Sequence, residues 1–368
     1  MPKRELCIKK RTDSYQIRRY RNYSKENRAV NCSSFHGKLH FEEKYPLKRI
    51  YAKPVMPRKT TKTFGEILKL WLQTNRVKYK ASTFSKYAYM INSHIKPQLG
   101  SIQISQITAS DINTFLDEQL RHGKIYSSAE LSPSYVRSMM LIIQSAINFA
   151  VSEGYCRPLK STINKPQIIK EDVKILSGND FYRLSSYLLG NRGLTELGVL
   201  ISLYMGLRIG EVCALSWNDI NLNEKILRVR KTAVRINDDN GSRWYLDFPK
   251  TPSSCRDIPI PSVIYNNLKE AFAQRESEYV ISDCDRFVNP RTYEYRYHRI
   301  LSECGIPTTK YHTLRHTFAT NALQSGMDIK TLSEILGHKD SSITLATYVH
   351  SSIEAKRMQM EQVRCKTA

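Results

Sequence analysis

The sequence predicts a mainly α-helical chain of several domains with one small antiparallel sheet, and three observations lead there. Four amphipathic helical patterns crowd into about 90 residues after Thr63, and further helical patterns fill most of residues 175–350. Strand-like stretches gather only between Ile226 and Ile260, around a turn-forming Asp239-Asn-Gly-Ser. With 368 residues and 41% hydrophobic side chains, the chain has apolar material for two cores.

The net charge of +23 points to a polyanionic partner. Residues 1–62 carry 18 Lys and Arg against 5 Asp and Glu, the composition of a basic arm or a small nucleic-acid module. There Tyr15, Tyr20 and Tyr23 interleave with Arg18, Arg19 and Arg21, a mixture suited to phosphate contact and stacking. A solvated basic tail is the plainer reading of the same segment. Cys7, Cys32, His36 and His40 lack zinc-ligand spacing, so no metal is expected. The eight cysteines include no CxxC pair and are expected as reduced thiols of a cytoplasmic protein. The longest apolar stretches, Met139 to Val151 and Leu197 to Met205, are too short to span a bilayer.

Thr63 and Glu66 have capping-box spacing, and Phe64, Ile67, Leu68, Trp71 and Leu72 follow at helical intervals. A second helix is expected from about Ser82, through Tyr87, Met90 and Ile91, ending before Pro97 and Gly100. Thr108 precedes a third with Ile112, Phe115, Leu116 and Leu120. The fourth starts near Ser134, places Val136, Met139, Met140, Ile143, Ile147 and Ala150 on one stripe, and stops at Gly154. Lys69, Arg76, Lys78, Lys80 and Lys86 occupy polar positions of this region, as candidates for phosphate contact or as an ordinary solvated face.

Residues 158–174, with Pro166 and mixed charge, read as a linker. Ser177 opens the next helix, Leu194 to Met205 forms another that stops at Gly206, and Ile209 to Leu215 a short third. Ile226 to Ile236, Trp244 to Phe248 and Asp257 to Ile260 are expected as a three-stranded sheet, with helices resuming from Val263. Asp328 caps a helix carrying Ile329, Leu332, Ile335 and Leu336, which Gly337 ends. Asp340 starts one more, with Ile343, Leu345 and Thr347 leading to Tyr348.

Arg208 lies in GLRIGE, His312 and Arg315 in HTLRHTFAT, His338 in LGH and Tyr348 ten residues later. In this order and spacing the motifs resemble the active site of the tyrosine recombinases, the phage-integrase family, and the resemblance covers roughly Thr63 to His350. It implies a core-binding helical domain (63–157) and an α+β catalytic domain (175–350), joined by the linker (158–174); the basic arm (1–62) and a C-terminal tail (351–368) lie outside it. The tail, from Ser351 to Val363, is amphipathic enough to dock on a neighbouring subunit or on its own domain.

Displacement at phosphorus spreads negative charge over two non-bridging oxygens, which guanidinium forks meet better than ammonium groups. Arg208 and Arg315 are the candidates. His312, three residues before Arg315 on one helix face, is expected to accept the phenolic proton, and His338 to donate to a phosphate oxygen. His316, about 100° round the helix from Arg315, is assigned a structural role. Tyr348 is the expected nucleophile, its phenolate favoured by Arg208, Arg315 and, when protonated, a nearby histidine. By resemblance, Lys250 in DFPKTPSSCRDIPI donates the proton to the leaving oxygen, and Glu211 orients a neighbouring Arg or His.

The reading is therefore a site-specific recombinase, an integrase of a phage or other mobile element, that cleaves and rejoins strands through a 3′-phosphotyrosyl bond. It needs no cofactor. The implied partners are double-stranded DNA, three further copies in a tetramer and accessory DNA-bending proteins, with no membrane. A type IB topoisomerase-like strand cutter, a non-catalytic DNA-binding protein on the same fold and a metal hydrolase built on His312, His316 and His338 are the rivals.

Overall fold

The computed structural model describes residues 5–11, 14–20, 30–32, 61–125, 127, 129–169, 173–238, 241–248, 255–338, 340–348 and 357. The chain separates into two compact units, 1–56 and 57–368. In the first, β1 (Glu5–Arg11), β2 (Ser14–Tyr20) and β3 (Val30–Cys32) form an antiparallel sheet in the order β1-β2-β3, with Cys7 opposite Arg18 and Gln16 opposite Asn31. Arg18 and Arg19 lie on β2, their side chains outside the described part. His36 and His40 fall outside the described residues.

The second unit holds two large hydrophobic cores. The first belongs to α1 (Phe64–Thr74), α2 (Ala81–Met90), α3 (Ala109–His122) and α4 (Pro133–Ser152). Capping boxes start α1 and α3: Glu66 N donates to Thr63 Oγ1 while Thr63 N donates to Glu66 Oε2 at 2.7 Å, and Thr108 pairs with Asp111 in the same way. Phe64, Ile67, Ile112, Val136, Met139 and Ile143 are wholly buried between the helices. The expected stop before Pro97 is corrected. A π turn over Ile91–Ile95 carries α2 into a last helical turn, Lys96–Leu99, that includes the proline. The widened i→i+5 bonding accommodates a residue that lacks an N–H and crowds the carbonyl one turn back.

Residues 157–169 and 173–176 carry no regular structure. The second core is built by α5 (Gly178–Gly190), α6 (Leu194–Met205), α7 (Ile209–Cys213), α8 (Ser262–Ala273), α9 (Pro290–Glu303) and α10 (His312–Gln324) around a sheet. A smaller cluster joins α10 to α11 (Ile329–Leu336), and α12 (Ser341–Tyr348) packs on both.

The single three-stranded sheet is also corrected. β4 (Ile220–Asn221), β5 (Ile226–Val229) and β8 (Arg256–Pro259) make one sheet; β6 (Thr232–Asp238) and β7 (Gly241–Asp247) make a separate hairpin. The chain changes sheets at Arg230–Lys231, where Arg230 Nη1 donates to Arg256 O at 3.2 Å and Nη2 to Asp257. Both halves keep their alternation, so the pattern alone reads as one strand. β6 packs on α2, and Lys80 Nζ bonds Phe248 O at 3.0 Å with Asp247 3.7 Å away.

Candidate active site

Two helix ends converge on the site. α6 terminates at Gly206, whose left-handed φ of 68° suits glycine and at which a Cβ would lie 2.5 Å from the Phe318 ring. α11 terminates at Gly337 with φ 63°, and the next amide, His338 N, bonds back to Ser333 O at 3.0 Å in Schellman fashion. Both ends leave carbonyls without helical partners. Arg315, only 1% exposed, supplies them: Nη1 donates to Gly206 O at 2.8 Å and Nη2 to Leu336 O at 2.6 Å. The guanidinium is held by backbone alone on these two sides.

Arg315 Nη2 also lies 3.0 Å from His338 Nε2, and His338 Nδ1 lies 2.8 Å from Thr344 Oγ1 on α12. A guanidinium only donates, so Nε2 is the acceptor here. Burial, then the charges of Arg315, Arg208 and Arg256, lower the His338 pKa to about 4. The resting ring is neutral, and the expected donation from Nε2 to a phosphate is not its resting arrangement. In the phosphate-free protein at neutral pH, the positive charge of the site is that of the arginines.

Arg208 stands at the N-cap of α7, with Glu211 three residues on. Glu211 Oε2 accepts from the Arg208 backbone N–H at 2.9 Å and Oε1 from Arg208 Nη1 at 2.8 Å. Its other partner is Arg256 on β8, whose Nη2 and Nη1 reach the two carboxylate oxygens at 2.8 and 3.0 Å. Burial opposes the charge on Glu211, but the hydrogen bonds and charge of Arg256, joined by Arg208, hold its pKa at about 2. Arg256 Nε completes the tie by donating to Ile335 O at the end of α11. Arg208 keeps 36% of its side chain exposed and presents the accessible guanidinium, with Arg315 as the floor.

His312 begins α10 at the accessible edge, its ring edge-to-face with His316 at 4.5 Å between centroids. Desolvation, then the neighbouring His316, Arg315 and Arg208, depress the His312 pKa to about 4. His316 is lowered by its own desolvation and by Arg315. The rotation that separates His316 from Arg315 puts it, at i and i+4, on the His312 face, where it packs against the His312 ring.

Arg208, His312, Arg315 and His338 are thereby brought together. The backbone of Tyr348 closes α12, and its side chain is outside the described part. On that helix Thr344 is fully buried, while Ile343 and Leu345 are exposed. Lys250 and the tail, apart from the exposed Arg357, lie outside the described residues. Lys69, Arg76, Lys78 and Lys86 are exposed, with the Arg76 guanidinium over the Phe84 ring; Lys80 is engaged with Asp247. Arg256 and Thr344 were missed by sequence reasoning. A basic residue in register with the buried Ile258 of an alternating strand was the available signal for Arg256; Thr344 offered none. Among the described residues, no group of three His, Cys, Asp or Glu is placed to hold a metal, and no helix is long and apolar enough to cross a membrane.

Residues 189–355 match the Phage integrase family, and residues 63–120 match the Phage integrase N-terminal SAM-like domain. A XerC-like tyrosine recombinase of Caldanaerobacter subterraneus subsp. tengcongensis is 31% identical over 318 residues, covering 78% of this chain and 79% of that one. The transposase of transposon Tn916 from Enterococcus faecalis is 23% identical over 312 residues, covering 78% and 74%. Among solved structures, the Tn1549 transposon integrase in complex with a circular intermediate DNA aligns at a TM-score of 0.68 and 21% identity, over 82% of this chain and 100% of that one. A lambda integrase tetramer bound to a Holliday junction aligns at 0.58 and 14%, over 93% and 95%. At these identities the two structures speak for a common fold.

Proposed function

The chain belongs to the phage integrase family and is a tyrosine site-specific recombinase of DNA, integrating or excising a mobile element; on that premise we propose the following chemistry for its residues. Tyr348 Oη attacks the scissile phosphorus, forming a 3′-phosphotyrosyl bond as the bond to the 5′ oxygen breaks. His312, neutral at physiological pH, takes the phenolic proton. Lys250 gives a proton to the departing 5′ oxygen. Arg208 and Arg315 donate to the non-bridging oxygens, where charge accumulates in the transition state. His338 joins them once a proton stands on Nε2. Glu211, through its bonds to Arg208, holds that guanidinium in place. A 5′ hydroxyl from a second strand then attacks the phosphotyrosine and releases Tyr348, so the energy of the original bond is retained without ATP or metal.

The observation that carries this reading is the seating of Arg315 and His338 together at the end of α11, from which the chain runs directly into the helix closed by Tyr348. The relatives' complexes with DNA support a duplex as partner, and the lambda integrase tetramer supports a tetrameric assembly for exchange through a four-way junction. We assign 63–157 to core-site binding, 158–174 to the linker and 175–350 to catalysis. Residues 1–62, with Arg18 and Arg19, are read as a DNA-binding arm, and 351–368 as a tail that docks on a subunit. Lys69, Arg76, Lys78 and Lys86 are the candidate backbone contacts, Lys80 joining them only on release from Asp247. DNA-bending accessory proteins complete the expected assembly.

The test is to trap the adduct on a nicked suicide substrate carrying the element's end sequence, then map the modified peptide. Modification at Tyr348, insensitive to chelator, is expected. An adduct elsewhere, or relaxation of supercoils without exchange between paired sites, would overturn the assignment.

A further inference from the structure

Both ring nitrogens of His338 are engaged, and the partner of Nδ1 has no place in the chemistry above. Because Nε2 accepts from Arg315, the proton of the neutral ring is on Nδ1 and is donated to Thr344 Oγ1. Thr344 is fully buried on α12, one turn before Tyr348. To donate to a phosphate oxygen, Nε2 must carry a proton. If that proton is moved from Nδ1, Nδ1 becomes an acceptor and its partner must donate. If a second proton is added, Nδ1 still donates and its partner must accept. A hydroxyl meets both requirements by turning its O–H; a methyl, a carbonyl or an amide N–H does not.

We propose that Thr344 is a positioning residue that holds His338 through both the resting and the phosphate-bound arrangements, so that seating the Tyr348 helix and aiming His338 are one event. The proposal rests on the reading of His338 and Tyr348 as site residues. A helix displaced from the site removes Oγ1 from His338 together with the nucleophile. Without that contact the imidazole can turn about its side-chain bonds and the donor is lost from its place.

The test uses the full chain and the suicide substrate. Thr344→Val, nearly isosteric, is expected to slow covalent capture roughly 10- to 100-fold, the cost of one hydrogen bond orienting a reacting group. Thr344→Ser should stay within about threefold of the parent, and DNA affinity should not move. In a His338→Ala background, Thr344→Val should cost nothing further. A valine variant as fast as the parent overturns the proposal. So does a valine penalty that persists at full size without His338, because Thr344 would then act only on packing. Ring ¹⁵N spectra of the DNA-free protein, with His338 assigned by difference against His338→Ala, give a readout independent of catalysis. A proton on Nδ1 is expected; a proton on Nε2 alone overturns the proposal even if the valine variant does not fold. Failure of the underlying reading would look different: Tyr348→Phe would still form an adduct while the Nδ1 tautomer remained.

Discussion

The four-helix region and the catalytic region bury polar groups for different ends. Among the described residues between α1 and α4 the buried polar side chains are Ser85, His94 and Gln119, and His94 Nδ1 and Gln119 Oε1 satisfy one another at 3.0 Å inside an apolar core. Around α7, α10 and α11, Glu211, Arg256 and Arg315 are buried with their charges and tied to backbone carbonyls and to one another. The first region keeps its charges outside, where the proposed phosphate contacts of its exposed lysines and arginines would be made, and its interior serves cohesion. The second keeps charge inside, where desolvated groups act strongly on a phosphate but leave costly vacancies when one partner is removed.

The sharpest way to separate chemistry from grip is Tyr348→Phe. Covalent adduct should fall below detection while affinity for the site in a gel-shift assay stays within about twofold of the parent; lost affinity would show that the two regions do not divide the work in this way. Next in size is Glu211→Ala, which leaves Arg256 buried without its anion and should cost about 3–5 kcal/mol in denaturant unfolding. Gln119→Ala, the matching deletion among the helices, should cost about 1–3 kcal/mol. Equal costs would erase the contrast.

Acid should separate the regions as well. His312 and His338 sit at about 4 when folded against an ordinary value near 6.5. The unfolded chain therefore binds more protons between those values. The stability they contribute is complete above about pH 6.5 and lost as pH falls through 4, on the order of 2 kcal/mol for the pair after allowing for their partial exposure. Glu211 acts lower: its contribution is complete above about 4.5 and disappears as pH falls through about 2. Unfolding midpoints followed from pH 7.5 to 4.5 should decline, and His312→Asn together with His338→Asn should flatten the decline. An unchanged slope in that double variant would remove the histidines from the account. The smallest effects belong to the exposed cations. Lys69→Ala or Lys86→Ala should reduce the salt slope of DNA binding by about 1 each, and Lys80→Ala by less, since Asp247 already holds it.

Much of this was legible in the order of residues because the signals are local. Thr63, Thr108, Ser177 and Asp328 cap helices within three residues of themselves, and Gly206 and Gly337 stop helices by a backbone conformation that glycine adopts freely. The recombinase motifs likewise fix His312 with Arg315 and Arg208 with Glu211 at i and i+3. What escaped is long-range. Arg256 finds Glu211 across 45 positions and Ile335 across 79, and only the fold brings β8 to the end of α11. Thr344 looked like any polar residue beside Ile343 and Leu345, yet the two apolar neighbours are exposed and Thr344 is fully buried. The passage through Pro97 depended on a π turn that no periodicity announces, and the change of sheet at Arg230 left the alternation intact.

Because Arg315 is anchored on main-chain carbonyls at the ends of two helices, with His338 beside it, retargeting this enzyme to a new sequence has a clear permissible zone. Libraries that vary outward-facing residues of α1 to α4 leave those carbonyls where they are. A single-residue insertion or deletion in α6 or α11 rotates its terminus by about 100° and swings the anchoring oxygen away from the guanidinium. Tolerance to substitution on the outer faces of α1 to α4 should therefore stand beside intolerance to changes of length in α6 and α11.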